Sequence, residues 1–357
     1  MKILFVSHKY DHMGEFSGYN KLGYYLSQNE GVNLVSYMDK EWNWFQTNVL
    51  NRKLFSTYDS NRYGPFHYFE RYITEYDVVK ESNQTGIDII HLAYLEDYLG
   101  YIADKRDKVK AKIVATAHQP PEWWKMTNKN TNVLKCLDAL IVLSSESKKY
   151  FEQFLPGKVF FIPHGIDIHF FSPSTEVRSE NKKKRCLFIG NWMRDYAALA
   201  ETIVLLNKKN YDIEFNIVSS KTMDFMHPLY SLQNFPNITW NKNINDKALV
   251  QIYRNMDVLL LPLHASTSNN SLLEAAACGV PIITNKCGGV TDYLNEQWVY
   301  LTEKSSAEQF REKIDFVFNP SSDETVKSNA GLQQKFIENN FSWESIASQI
   351  TKLYKSL

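Results

Sequence analysis

The amino-acid sequence predicts two α/β domains in series, each a parallel sheet covered by helices. Three observations predict it. Short β-branched or apolar runs alternate with longer helical patterns. The alternation stops at a polar, proline-containing stretch near residue 175 and then restarts. A chain of 357 residues, 44% of them hydrophobic, is too long for one ordinary core and rich enough for two.

In the first half the apolar runs fall at residues 3–7, 32–36, 88–91, 112–115, 139–142 and 159–162, with helical patterns at 19–28 and 145–154. That order describes parallel βαβ units whose strands are buried on both faces. Residues 41–76, rich in Trp, Phe, Tyr and Asn and weakly periodic, read as an insertion. The stretch from Ser172 to Arg185 carries Pro173 and closes on Lys182-Lys183-Lys184-Arg185; it reads as a linker with a solvated basic face. Strands return at 186–189, 214–218, 258–261, 281–284 and 298–301. Helices lie near 196–207, 246–255 and 271–278, and a helical tail runs from 307. The expected division is 1–173, 174–340, and a closing helix at 341–357 packed back on the first domain.

Composition narrows the function classes. Lys+Arg and Asp+Glu are 40 each, so no net charge draws the chain to nucleic acid. Cys136, Cys186, Cys278 and Cys287 form no CxxC pair and read as reduced thiols. The first seven residues suit a strand rather than a signal peptide, and no run approaches the ~18 apolar residues of a membrane span. A soluble, cytoplasmic protein is expected.

In open parallel sheets, ligands bind beyond the carboxyl ends of strands, where the strand order reverses. The loop after the first strand carries Gly14 and Gly18 ahead of a helix. Such glycines let backbone N–H groups approach a phosphate, or they simply make a turn. No GxGxxG and no GK[ST] occurs, which disfavours NAD enzymes and P-loop NTPases. His8 and His12 lie four apart, but in a loop without HExxH, so no metal is expected there. The loop containing Ser266, Thr267, Ser268, Asn269, Asn270 and Ser271 is more informative. Its small polar side chains run into an apolar helix, which they either cap or supply with an anion site. Glu274 sits one turn into that helix. A buried carboxylate needs donors, and the two hydroxyls of a ribose can supply them.

The stretch Leu272-Leu273-Glu274-Ala275-Ala276-Ala277-Cys278-Gly279-Val280-Pro281-Ile282-Ile283 resembles the signature of family 4 glycosyltransferases, which have the glycosyltransferase B (GT-B) fold. Phe161-Ile162-Pro163-His164-Gly165-Ile166-Asp167, Phe171-Ser172-Pro173 and Asp257-Val258-Leu259-Leu260-Leu261-Pro262 are similar to further segments of that family. The resemblance implies two facing Rossmann-like domains with a cleft between them. It implies retaining transfer of a hexosyl or deoxyhexosyl group from a nucleotide diphosphate sugar, held mainly by the second domain, to a saccharide or lipid-linked saccharide. The setting it implies is bacterial surface polysaccharide or glycoconjugate synthesis, in the cytoplasm or at the inner face of the cell membrane. Residues 41–76 would then be an acceptor-side loop. No cofactor, metal or nucleic-acid partner is expected; the chain has no Asp-x-Asp.

Carried over residue by residue, the resemblance implies that Glu274 holds the ribose hydroxyls. Backbone amides near Asn270, Ser271 and Leu272 would face the diphosphate, with Asn269 beside them. Arg194 in Gly190-Asn191-Trp192-Met193-Arg194-Asp195 would be the cationic phosphate ligand, with Gly190 in the same site. His118, ending a strand, would contact the donor sugar, and Gly18 matches a glycine of the first loop. His118, Arg194 and Glu274 form the implied catalytic set. Three positions depart from the pattern. Ser266 stands eight places before Glu274, where a second glutamate usually reads sugar hydroxyls. Ser17 replaces a glycine. Asp195 and Tyr196 follow Arg194 where a lysine is usual, which leaves Lys221 or Lys286 as substitutes. Ser266 keeps open a second reading, a non-catalytic nucleotide-sugar-binding subunit that partners an active transferase; an epimerase or phosphorylase of the same fold is the enzymatic runner-up.

Overall fold

The buried apolar runs of the first half become β1 (Lys2–Ser7), β2 (Asn33–Met38), β3 (Ile89–Leu92), β4 (Lys112–Ala117), β5 (Ala139–Val142) and β6 (Val159–Phe161). They form a parallel sheet in the order β2-β1-β3-β4-β5-β6. Every residue of β3 and of β5 is buried, as strands covered by helices on both faces require. A computed structural model provides these coordinates and describes residues 1–8, 10, 14–16, 18–38, 58, 63, 68–174, 183–219 and 225–357.

The second half repeats the scheme with β7 (Lys184–Ile189), β8 (Ile213–Val218), β9 (Ile238–Asn241), β10 (Val258–Leu261), β11 (Ile282–Asn285) and β12 (Tyr300–Thr302). Their order is β12-β11-β10-β7-β8-β9, again parallel. The order reverses between β7 and β10, so the loops leaving those two strands flank the crevice where such sheets bind ligands.

Helices cover both sheets. In chain order they are α1 (Lys21–Ser27), α2 (Phe69–Thr85), α3 (Tyr101–Asp104), α4 (Pro121–Thr127), α5 (Ser145–Glu152), α6 (Tyr196–Lys208), α7 (Asp246–Asn255), α8 (Asn270–Ala277), α9 (Val290–Tyr293), α10 (Ala307–Val317), α11 (Asp323–Phe341) and α12 (Trp343–Ser356). Asp195 and Asn245 cap α6 and α7 by accepting the N–H groups of Ala198 and Ala248. No helix among the described residues is long and apolar enough to cross a membrane.

The chain divides into two compact units, Met1–Met13 with Gly18–Gly165 and Trp343–Leu357, and Gly14–Ser17 with Ile166–Ser342. These boundaries differ from the expected 173/174 and 340/341. The last helix, α12, belongs to the first unit, where Trp343, Ile346, Ala347, Ile350 and Leu353 pack with Ile3, Phe5, Leu22 and Leu26.

Four local expectations are corrected. Helix α2 begins at Phe69, inside the weakly periodic stretch; Thr74, Glu75 and Ser82 are buried beside Tyr72, Ile73 and Val78, so no clean apolar stripe marks it. Of residues 41–76, those before Tyr68 lie outside the described residues except Tyr58 and Tyr63. Strand β9 was not anticipated, because it ends the sheet and only partly buries its side chains. Lys184 and Arg185 open β7 rather than closing the linker, whose residues 175–182 lie outside the description. The helical tail is three helices, interrupted near Pro320 and at Ser342.

Candidate active site

Arg194 lies in the turn between β7 and α6, and its guanidinium reaches the start of α8. Nε donates to the Ile189 carbonyl (3.0 Å) and one terminal nitrogen to the Trp192 carbonyl (3.0 Å). The other terminal nitrogen donates to Asn269 Oδ1 (3.3 Å) and Ser271 Oγ (3.1 Å). Four of the five N–H donors of this side chain are thus directed at protein acceptors. Burial lowers its pKa to about 10, which leaves it charged at neutral pH. Asp195 serves α6 instead of pairing with Arg194. The φ of +100° at Gly190 favours glycine in this turn, and a Cβ there would lie 2.6 Å from an Arg194 nitrogen and push the guanidinium aside.

Helix α8 contributes the other half. Its residues from Ser271 to Ala277 are buried, as is Asn269 before it. The N–H groups of Leu272 and Leu273 both donate to the Asn269 carbonyl (3.0 and 3.1 Å). The Leu272 amide, expected to face a diphosphate, is thus bonded within the turn. Glu274 is 3% exposed, and Tyr253 Oη donates to its Oε2 at 2.8 Å. Tyr253, fully buried on α7, was missed in the sequence; an aromatic on an amphipathic helix reads as core. Burial first, then the Glu274 charge, raises the Tyr253 pKa well above its usual value, so the phenol remains a donor. Arg194, Asn269, Ser271, Tyr253 and Glu274 form one chain of polar contacts at the carboxyl ends of β7 and β10.

Ser266 is buried, and its hydroxyl meets the Thr267 carbonyl only at 3.5 Å. Its backbone is gripped more firmly. The Gly289 N–H donates to the Ser266 carbonyl (2.9 Å), and a Cβ on Gly288, where φ is +49°, would lie 1.9 Å from that oxygen. Asn285 at the end of β11 clamps the same loop, accepting the Leu263 N–H (2.8 Å) and donating to the Leu263 carbonyl (3.0 Å). Sequence reasoning missed Asn285 too. Lys286, one proposed lysine substitute, pairs with Glu296 (2.8 Å) and Glu303 (3.0 Å). Lys221, His12 and Ser17 lie outside the described residues.

Two described amides of the loop after β1 are held by a carboxylate of the protein itself. The N–H groups of Glu15 and Phe16 donate to Asp246 Oδ2 (2.6 and 3.1 Å), and a Cβ on Gly14 would meet the same carboxylate at 2.0 Å. Gly18 is buried and accepts the Lys21 N–H at 3.1 Å, opening α1.

His118 follows directly on β4 in the first unit. Nε2 donates to the Ala93 carbonyl (2.8 Å), Tyr94 packs against the ring at 4.7 Å, and Tyr19 meets it edge-on at 4.7 Å. Burial, reinforced by neighbouring His164, lowers its pKa to about 3, so the ring is neutral at pH 7. With Nε2 carrying the proton, Nδ1 is an acceptor. The structure thus assembles Gly190, Arg194, Asn269, Ser271 and Glu274 in the second unit, with the Ser266 loop on the same sheet edge, and sets His118 and Gly18 in the first.

Comparison with known proteins follows the same division. Residues 49–170 match the family model described as Glycosyltransferase Family 4, and residues 183–319 the one described as Glycosyl transferases group 1. Over 177 residues the chain is 27% identical to the capsular polysaccharide biosynthesis glycosyltransferase CapM of Staphylococcus aureus, covering 47% of this chain and 45% of CapM. The matched region thus spans about half the length of such curated relatives. Among solved structures, a glycosyltransferase from Rickettsia africae ESF-5 shares the fold with a TM-score of 0.74 at 17% identity, over 99% of this chain and 98% of that one. Anabaena Alr3699/HepE in complex with UDP-glucose gives a TM-score of 0.71 at 13% identity over 100% of both chains. Two parallel six-stranded sheets covered by helices, matched family models in both halves and the signature helix α8 lead to one assignment: the chain belongs to the family 4 (group 1) glycosyltransferases, with the GT-B fold.

Proposed function

We propose that the protein is a retaining glycosyltransferase that moves a hexosyl or deoxyhexosyl group from a nucleotide diphosphate sugar to a saccharide or lipid-linked saccharide, without a metal, in surface polysaccharide or glycoconjugate synthesis. The observation that carries it is Arg194 meeting the start of α8 next to buried Glu274. Asn269 and Ser271 are neutral acceptors for the guanidinium. Phosphate oxygens replace them with stronger, charge-assisted bonds. Negative charge develops on the diphosphate as the glycosidic bond breaks, and a cation and helix terminus fixed beforehand stabilise it without reorganisation. Glu274, already holding the Tyr253 hydroxyl, can accept ribose hydroxyls as well, since an ionised carboxylate has about four lone-pair sites. His118 keeps the role that the resemblance gives it, as a neutral hydrogen-bonding group.

The relatives guide the choice of probes. A uridine diphosphate sugar heads the donor panel because Alr3699/HepE was solved with UDP-glucose, and capsular-type oligosaccharides head the acceptors. Acceptor-dependent release of nucleoside diphosphate is expected in EDTA at the rate seen without it; turnover lost in EDTA and restored by magnesium contradicts the metal-free reading. Ser266 favours a second reading, a nucleotide-sugar-binding subunit without its own turnover, because its hydroxyl cannot grip two sugar hydroxyls as a carboxylate does. Donor binding with no nucleotide release under any acceptor would select that reading.

A further inference from the structure

We propose that Glu96 is a positioning residue for His118, fixing the imidazole through the backbone of His118 and Gln119. This rests on the transferase reading above for its kinetic consequence only; the geometry stands by itself.

Glu96 lies in the 3₁₀ turn Leu95–Asp97 that leaves β3, and it is 7% exposed. Its Oε1 accepts the N–H groups of both His118 and Gln119, each at 2.7 Å. The residues just before that turn grip the ring: Ala93 accepts from Nε2 at 2.8 Å, and Tyr94 packs against the imidazole. One short segment after β3 therefore holds the histidine at its main chain and at its side chain. The segment is anchored in turn by Lys129, which is buried, donates to the Glu96 carbonyl and stands over the Trp124 ring at 5.6 Å. Two N–H groups converging on one carboxylate oxygen set the direction in which the chain leaves β4, and with it the position of the ring. A displacement of about 1 Å in a reacting constellation can cost on the order of a hundredfold in rate. A buried carboxylate that captures two successive amides is thus placed to control turnover through His118 without touching substrate.

The test compares Glu96→Ala, which removes the acceptor, with Glu96→Gln, whose amide oxygen can still accept both N–H groups. The first readout is the ¹⁵N imidazole NMR signal of His118, assigned by its loss in His118→Ala; it requires no substrate. The Nε2–H tautomer is expected in the wild type and in Glu96→Gln, and a shifted or averaged signal in Glu96→Ala. The second readout is kinetic. Glu96→Ala is expected to lower kcat about 10- to 100-fold with donor KM within about threefold, Glu96→Gln to stay within about threefold of wild type, and Glu96→Ala to add under about threefold in a His118→Ala background. A folded Glu96→Ala with an unchanged His118 signal overturns the proposal, and so does a loss expressed in donor KM or a Glu96→Gln as impaired as Glu96→Ala. If Glu96→Ala does not fold, Glu96→Asp, which draws the oxygen back by one methylene, takes its place, and an unchanged signal there overturns the proposal equally. If the wild type turns over no donor, the transferase reading fails, and the NMR readout alone decides the role of Glu96.

Discussion

Glu274 buries a carboxylate almost completely and meets that cost with the Tyr253 hydroxyl at 2.8 Å. Arg194 is similarly prearranged, with neutral partners at Asn269 and Ser271 that an anion can displace. Ser266 contrasts with both, since its side chain makes only a long contact with the adjacent carbonyl. Ser266→Ala is therefore expected to change turnover by no more than about tenfold, equivalent to ~1.4 kcal/mol. His118→Ala removes a ring held by Ala93, Tyr94 and Tyr19, and is expected to cost at least ten times more than Ser266→Ala. Steady-state rates on the same donor and acceptor check this, and equal losses in the two variants would make Ser266 a principal catalytic group.

At the scale of elements, the loop after β10 takes its shape from β11 and the turn behind it. Asn285 pairs with both backbone groups of Leu263, and Gly288 lies so close to the Ser266 carbonyl that no Cβ fits. Gly288→Ala is expected to destabilise the protein by about 1–3 kcal/mol and to weaken donor binding, because the Ser266 loop must shift. Urea denaturation measures the first; an unchanged midpoint would show that the two loops do not press on each other. The same elements show what a sequence can disclose. β5, β10 and α7 have the bounds their patterns imply, because two are fully buried apolar runs and the third has a side-chain cap at Asn245. Glu274 stood out as a charge in an apolar helix. Its partner did not, since Tyr253 is 21 residues away and looks like any core aromatic. The capture of the Glu15 and Phe16 amides by Asp246, about 230 residues on, leaves no local trace at all. Long-range pairings of this kind explain why the signature of α8 was legible and the wiring around it was not.

At the scale of the whole molecule, buried titratable groups give the first unit a pH dependence that the overall charge balance does not suggest. The first unit buries His91, His118 and His164, whose pKa values burial lowers to about 3, 3 and 4. Each is neutral in the fold and protonates near 6.5 once unfolded, so its contribution is present above 6.5 and is lost as the pH falls below it. Glu96 opposes them. Burial pushes its carboxyl up to about 7, so its contribution is present below 4.5 and is lost as the pH rises towards 7. Three groups outweigh one, and the melting temperature is expected to fall between pH 7 and pH 5; a rise would contradict these environments. In the second unit, Arg194, the start of α8 and Glu274 form the proposed site for a nucleotide diphosphate sugar. Calorimetric titration of the donor, or of its nucleoside diphosphate, into wild type and Glu274→Gln tests it most directly. Losing hydrogen bonds to a charged partner costs about 1.5–3 kcal/mol, so the folded variant is expected to bind roughly ten- to a hundredfold more weakly. Equal affinity in the two proteins would contradict the claim.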